Sequence, residues 1–275
     1  MQDGLILAGL LVLGLVVGVY GTIIGAGGGF VLTPLLLMLY GDKGAEEITA
    51  ISLAVVFANA VSGTQAFARQ RRIDYGAALL FALATLPGAV IGALATGLLP
   101  RRLFEALFAA LLLSVAVVLF ARPAPRTVRA RRERRHLLRV HTDASGDTYQ
   151  YSYDPVLGAG LGLVVGFTSS LFGVGGGIIY VPAMVILLRF PVYLATATST
   201  FILMFTAAAG ALVHLLAGHY RGNGSEVLAL SAGVVVGAQA GAMLSARFGG
   251  SAIVLRLLSL ALVAVAVRLL AGALL

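Results

Sequence analysis

The sequence predicts an all-α polytopic membrane protein built from duplicated repeats with interrupted or re-entrant helices, in roughly 8–10 membrane segments. Three observations carry this expectation. The chain has 275 residues, of which 60% are hydrophobic and only 11% charged, whereas a soluble domain carries about 25% charged residues. Its mean hydropathy is +1.01, and apolar runs long enough to cross about 30 Å of hydrocarbon recur along it. A glycine-rich motif also occurs twice, as Gly25-Ala26-Gly27-Gly28-Gly29 with Pro34 and as Gly173-Val174-Gly175-Gly176-Gly177 with Pro182. Both glycines and prolines keep an offset of 148 residues. Each copy breaks one apolar run and precedes a shorter one, and paired interruptions at matching places point to a transporter's substrate site.

In chain order, the first half holds apolar runs at about 5–20, 30–39, 48–68, 75–99 and 102–120. The second half repeats them at about 155–172, 178–189, 192–217, 225–248 and 251–273. Leu5 to Val19 carry no basic leader, so no cleaved signal peptide is expected and the whole chain reads as mature. The first two runs of each half are short and read together as one broken helix or a hairpin dipping into the membrane. Non-helical backbone survives at that depth only where protein or a wet cavity satisfies it, so the glycine motifs should face the bundle interior. Further echoes support duplication. Thr49-Ala50-Ile51-Ser52 matches Thr196-Ala197-Thr198-Ser199, and Gly88/Gly92 match Gly237/Gly241 with the Gly-xxx-Gly spacing that lets helices approach closely. The organisation is therefore a first transmembrane repeat over 1–120, a basic connection over 121–154 and a second repeat over 155–275.

The net charge of +8 is unevenly placed, with eight of nineteen basic residues between Arg122 and Arg139. Between membrane helices, such a cluster reads as a cytoplasmic loop, with anionic lipid as a further contact. No aromatic platform accompanies it, so nucleic acid is not an expected partner. Arg69, Arg71 and Arg72 oppose Asp42, Glu46 and Glu47 across one helix, which puts the arginines inside; Arg101 and Arg102 then fall outside, against the rule. Within the connection, Leu137–His141 and Tyr149–Tyr153 flank a cluster of turn formers, giving a candidate β-hairpin or else a disordered loop.

The candidate substrate site follows from the breaks. Glycines expose backbone N–H groups, and the helix that begins after Gly29 or Gly177 aims its positive dipole end at the gap. The expected anion ligands are Gly25, Gly27, Gly28, Gly29, Gly173, Gly175, Gly176 and Gly177, with the flanking hydroxyls Thr22, Ser169 and Ser170. A second polar set lies on the next helix of each half. Ser52 and Asn59 are seven apart, as are Ser199 and Thr206, so each pair shares a helix face. The competing reading of all these residues is helix packing and interhelical hydrogen bonding. Gln239 is a weaker candidate.

Several classes are excluded or disfavoured. With no cysteine there is no thiolate nucleophile or iron–sulfur cluster, and His136, His141, His214 and His219 lack metal-motif spacing, so neither cofactor nor metal is expected. No phosphate-binding Gly-xxxx-Gly-Lys-Ser/Thr loop occurs, which removes direct ATP drive within the chain. No nucleophile–base pair stands out, so the protein does not read as an enzyme. No carboxylate lies mid-span, leaving His214 as the one candidate coupling residue. Arg256 and Arg268 of the last run are expected to reach for an interface.

These motifs resemble the TauE/SafE sulfite exporter family. The resemblance rests on Gly21 to Gly29 with Pro34, Gly166 to Gly177 with Pro182, Ala195 to Ser199 and Gly237 to Ala242. It spans the chain apart from 121–154, which looks like a local elaboration. It implies a multi-pass permease of the prokaryotic inner membrane, with sulfite, sulfoacetate or another organosulfonate as the substrate class. The expected activity is export of a small sulfur-containing anion. Cation- or proton-coupled uptake, or an anion channel, are the alternatives.

Overall fold

The structure, a computed structural model, describes residues 2–120, 137–248, 262–263 and 265–269. The lipid contact expected at Arg122–Arg139 falls largely on residues outside this set, as does most of the last apolar run, Arg256 included. Nine helices and one hairpin are described: α1 (Gln2–Ile24), α2 (Gly29–Leu39), α3 (Ala45–Arg69), α4 (Tyr75–Thr96), α5 (Arg101–Phe120), β1 (Leu137–Thr142), β2 (Thr148–Tyr153), α6 (Pro155–Phe172), α7 (Gly177–Ile186), α8 (Val192–Leu216) and α9 (Gly224–Phe248). Among the described residues, six helices are long and apolar enough to cross a membrane, while α2 and α7 are shorter apolar helices. At 1.5 Å per residue, α2 and α7 reach only about 15–17 Å, half of a bilayer. This is an all-α polytopic membrane protein.

Glycine zippers set the helix directions. A Cβ on Gly14 would lie 2.4 Å from the Leu230 carbonyl oxygen, one on Gly18 2.7 Å from Val234 Cα, and one on Gly241 2.4 Å from the Val19 carbonyl oxygen. Contacts advance together along both chains, so α1 and α9 are parallel and nearly touch backbone to backbone. The second zipper mirrors the first: Gly88 meets the Leu163 carbonyl, Gly92 the Phe167 carbonyl and Gly166 the Thr85 carbonyl, making α4 and α6 parallel. By contrast, α3 and α8 cross in opposite directions, with Gly63 against Thr200 and Gly210 against Leu53. Since the duplication equates α3 with α8, the two repeats are inverted. Each zipper joins one repeat to the other, so neither half packs alone.

The ends of the bundle differ in charge. At one end Lys43 meets Glu226 at 3.3 Å and bonds Asn223, tying the α2–α3 loop to the start of α9. Arg101 there donates to the carbonyls of Leu37, Tyr40, Gly41 and Lys43 and pairs with Glu105 at 2.8 Å. It neutralises the carbonyl end of α2, which gives a local reason for an arginine that runs against the charge rule. At the other end lie Arg69, Arg71 and Arg72 and the hairpin, in the register Leu137↔Tyr153 to Thr142↔Thr148. The Asp143 carboxylate accepts from the Ser145 and Asp147 N–H groups and closes the turn, with Gly146 left-handed at φ 89°. Tyr151 and Tyr153 pack on Phe190, with ring centroids 4.6 and 5.2 Å away, so the hairpin is rooted in the bundle by aromatic burial. Asp74 and Asp154 cap α4 and α6 through two N–H groups each.

Candidate functional site

Both glycine motifs form the tips of helix hairpins, and the chain geometry there demands glycine. Gly25, Gly27 and Gly28 have φ of 78°, 75° and 80°, and Gly173, Gly175 and Gly176 have 67°, 81° and 76°. Three left-handed residues at matched positions reverse α1 into α2 and α6 into α7, a region that side chains with a Cβ avoid. Gly28 and Gly176 are the residues before the first turns of α2 and α7, and no side chain caps either start. Val31 and Leu32 donate to the Gly28 carbonyl, and Ile179 and Tyr180 to the Gly176 carbonyl, so the N–H groups of Gly29 and Phe30, and of Gly177 and Ile178, are the ones with no intrahelical acceptor. Pro34 and Pro182 stand inside α2 and α7 at equal depth, rather than in the first turn where a missing N–H is harmless.

The two tips meet. A Cβ on Gly29 would lie 2.5 Å from the Gly173 carbonyl oxygen, and one on Gly177 would lie 2.3 Å from the Gly25 carbonyl oxygen. Between them sit Val56 of α3 and Leu203 of α8: a Cβ on Gly27 or Gly175 would meet Val56 Cγ1 first, at 3.1 and 2.5 Å, with a Leu203 methyl next. Leu53, Val56, Ala60, Leu203 and Ala207 form a buried apolar cluster at this crossing. The centre of the protein is thus two polar backbone tips closed over an aliphatic wedge.

Hydroxyls cross between repeats to hold the tips. Ser52 donates to the Gly173 carbonyl at 2.7 Å, and Ser199 donates to the Gly25 carbonyl at 3.0 Å while sharing its hydrogen with the Thr196 carbonyl. The pair is exchanged: each central helix secures the other repeat's break. Thr33, which the sequence reading missed, shares its one hydroxyl hydrogen between the Gly173 carbonyl at 3.1 Å and Ser52 Oγ at 2.9 Å. Its repeat partner is Val181, so the two tips are not equivalent, and only a comparison of the aligned repeats for unmatched hydroxyls carries that signal.

The remaining candidates divide. Thr22 donates to Asn59 Oδ1 at 3.3 Å, leaving Asn59 Nδ2 without a partner among the described residues. Ser169, Ser170 and Thr49 are buried hydroxyls likewise without a partner, and Ser169 lies against Gly176. Buried polar atoms are ordinarily hydrogen-bonded, so these are donors available to an acceptor. Thr206 instead faces α4, donating to Thr85 Oγ1 at 2.9 Å and to the Ile202 carbonyl. Asn59 and Thr206 are therefore engaged with flanking helices, one turn or more from the serines that reach the tips. Gln239 bonds Ser62 and ties α9 to α3. His214 is distant from the tips, near the end of α8, with Nδ1 2.9 Å from His219 Nδ1 and Nε2 without a described partner. No group of three or more His, Cys, Asp or Glu that could hold a metal ion occurs among the described residues.

No formal charge is placed at the tips by the hydrogen-bonding side chains described there. The arrangement offers hydroxyls, an amide and helix-start N–H groups, which suits binding of an anion through neutral donors. It offers no nucleophile with a base.

The chain matches the sulfite exporter TauE/SafE family over residues 10–269. It belongs to that family. Its relatives include the "Probable membrane transporter protein YunE" of Bacillus subtilis, 32% identical over 252 residues and covering 90% of this chain and 91% of the relative. A "Probable membrane transporter protein" of Methanocaldococcus jannaschii is 26% identical, covering 78% and 74% of the two chains. One from Xylella fastidiosa is 26% identical, covering 89% and 87%. No solved structure matches the chain. This TauE/SafE member is a multi-pass membrane transporter, and not an enzyme.

Proposed function

We propose that this family member is a secondary carrier exporting a small sulfur-containing anion, sulfite or an organosulfonate, through a midplane site made by the two glycine tips. The carrying observation is the meeting of two oppositely directed helix starts at the bundle centre, each tip held by a serine of the other repeat. Inverted repeats with paired broken helices are the architecture in which a central site is presented alternately to the two sides. Sulfite and sulfonate oxygens accept hydrogen bonds, which matches the unpaired Ser169, Ser170, Thr49 and Asn59 donors. In this state the Val56–Leu203 wedge closes the centre, so one side of it must part for an anion to enter. The test is a binding screen of purified protein against sulfite, thiosulfate, sulfate and two-carbon sulfonates, followed by counterflow in proteoliposomes. Saturable counterflow of sulfite or a sulfonate supports the carrier; conductive, non-saturating flux supports a channel.

A second reading has one observation in its favour. The His214–His219 contact of 2.9 Å needs a hydrogen on one of the two Nδ1 atoms, and a shared proton near a membrane face is a coupling device. It favours proton-coupled transport, in either direction, at the same central site.

A further inference from the structure

Arg72 is the largest fully buried side chain described. It follows α3 at the basic end, and its acceptors are all neutral: Gln70 Oε1 at 3.1 Å, Ser245 Oγ at 2.7 Å and the Tyr193 carbonyl at 2.9 Å. Among the described residues its Nε–H has no partner. The guanidinium lies 3.6 Å from the Tyr193 ring centre and 4.7 Å from that of Phe67. None of the ion pairs among the described residues includes it. Burial draws its pKa down to about 10, against smaller opposing influences from Tyr193, Tyr149 and Asp143. Asp143 acts on this cation without an ion-pair contact, and a buried cation with no acid in contact is strongly unfavourable; the usual remedy is an anion at hydrogen-bond distance.

The cover over this cation is the β1–β2 hairpin. Tyr149 stacks on Tyr193 at 5.7 Å, the Ala144 N–H donates to the Gln70 carbonyl at 3.1 Å, and His141 Nε2 meets the Arg71 carbonyl at 2.8 Å. Lower down, the Tyr151 hydroxyl donates to Asp74 Oδ2 at 2.6 Å, and Arg139 Nε lies 3.9 Å from the same oxygen. These polar contacts fasten the hairpin's turn side to the α3–α4 turn, whose Arg71 is held left-handed at φ 51°. Duplication marks the place further. The offset of 147 that equates Ser52 with Ser199 equates Arg72 with His219, each just past the end of a central helix. The two mouths of the bundle thus carry nitrogen-bearing side chains at the same repeat position.

We propose that Arg72, braced by Ser245 Oγ, whose own hydrogen goes to the Ala242 carbonyl, forms an anion-docking site at the basic mouth, roofed by the hairpin, which lifts to let the anion reach the guanidinium. The site rests on the transport reading above and names the station where a sulfur oxyanion is held before or after the central tips. An oxyanion fits the guanidinium edge with two parallel N–H bonds, one from the unused Nε.

Equilibrium dialysis with ³⁵S-labelled sulfite tests the site on purified wild type, Arg72→Gln, Arg72→Lys and Ser199→Ala, with size-exclusion profiles and thermal melts reporting the fold. Wild type is expected to bind two sulfites per chain and Arg72→Gln one. Arg72→Lys, which keeps the charge but not the fork, is expected to keep the second with affinity lowered roughly tenfold. Absence of Arg72-dependent sulfite binding overturns the docking site and leaves the central reading standing. Loss of all binding in Arg72→Gln, with Ser199→Ala unaffected, would instead keep the docking site and sink the central one. The roof is tested separately, because the chain has no cysteine. Ala144→Cys with Arg71→Cys, joined by a short bismaleimide bridge whose thioether bonds sulfite does not cleave, is expected to reduce proteoliposome flux to background, while each single cysteine variant treated the same way keeps its flux. Full flux through the bridged protein overturns the lid.

Discussion

At the scale of single residues, the exchanged serines do unequal work. The Gly173 carbonyl has both Ser52 and Thr33 as donors, whereas Ser199 is the described side-chain donor to the Gly25 carbonyl. Removing a buried partner leaves the acceptor unsatisfied at about 1–3 kcal/mol, while a lost bond with a substitute costs a fraction of that. Ser199→Ala is therefore expected to weaken sulfite affinity and lower the detergent melting temperature more than Ser52→Ala. Thr33→Val combined with Ser52→Ala should match Ser199→Ala. Equal effects of the two single variants would show that Thr33 gives no support. The sequence made Ser52 and Ser199 legible as a symmetric pair. It gave no access to Thr33, because a hydroxyl without a repeat counterpart looks like any buried threonine.

For the elements, the glycine hairpins are held by conformation as much as by space. Gly28→Ala puts a Cβ at φ 80° and 2.5 Å from Val17 Cγ1, and Gly176→Ala puts one at φ 76° and 2.9 Å from Val165 Cγ1. The left-handed penalty alone is roughly 1–2 kcal/mol. Both variants should insert in the membrane, melt lower and lose transport, while Gly9→Ala and Gly41→Ala, with nothing within 4 Å of the new Cβ, should behave as wild type. Normal flux in both tip variants would remove the tips from the pathway. The wedge makes a different demand. Leu203→Ala shortens a side chain that is 2% exposed and closes the space beside both tips. It is expected to raise sulfite leak in the absence of counter-substrate, measured as efflux from loaded vesicles, with a stability loss of about 2–5 kcal/mol at most. A tight vesicle containing this variant would show that the closure lies elsewhere.

Across the whole molecule, inversion and the lack of charge at the tips bear on the driving force. A potential of 100 mV is worth about 2.3 kcal/mol per charge, and an inside-negative cell drives anions outward. A carrier holding a monoanion through neutral donors can thus export it without a proton relay. In proteoliposomes of known orientation and no proton gradient, an inside-negative potential is expected to accelerate sulfite efflux, and His214→Gln should retain that response. Electrically silent transport that stops without a proton gradient and fails in His214→Gln would transfer the coupling role to the His214–His219 pair.

The sequence by itself determined that the chain is a membrane protein with two related halves and a glycine break in each, because hydrophobic run length, turn-forming glycines and repeated spacing are local properties of the chain. It also determined the family, through the motifs at those breaks. Only the tertiary structure decided that α2 and α7 turn back as hairpins, that the repeats are inverted, and that each serine reaches the other repeat's tip. Those facts depend on which helix lies beside which. Parallel and inverted repeats carry the same local hydrophobic pattern, and they part only where Gly63 meets Thr200 and Gly210 meets Leu53 across the crossing of α3 and α8. Arg72 shows the limit most plainly. In the sequence it is one arginine of a basic loop, and it becomes a buried cation only when Tyr193, Ser245 and the hairpin close around it.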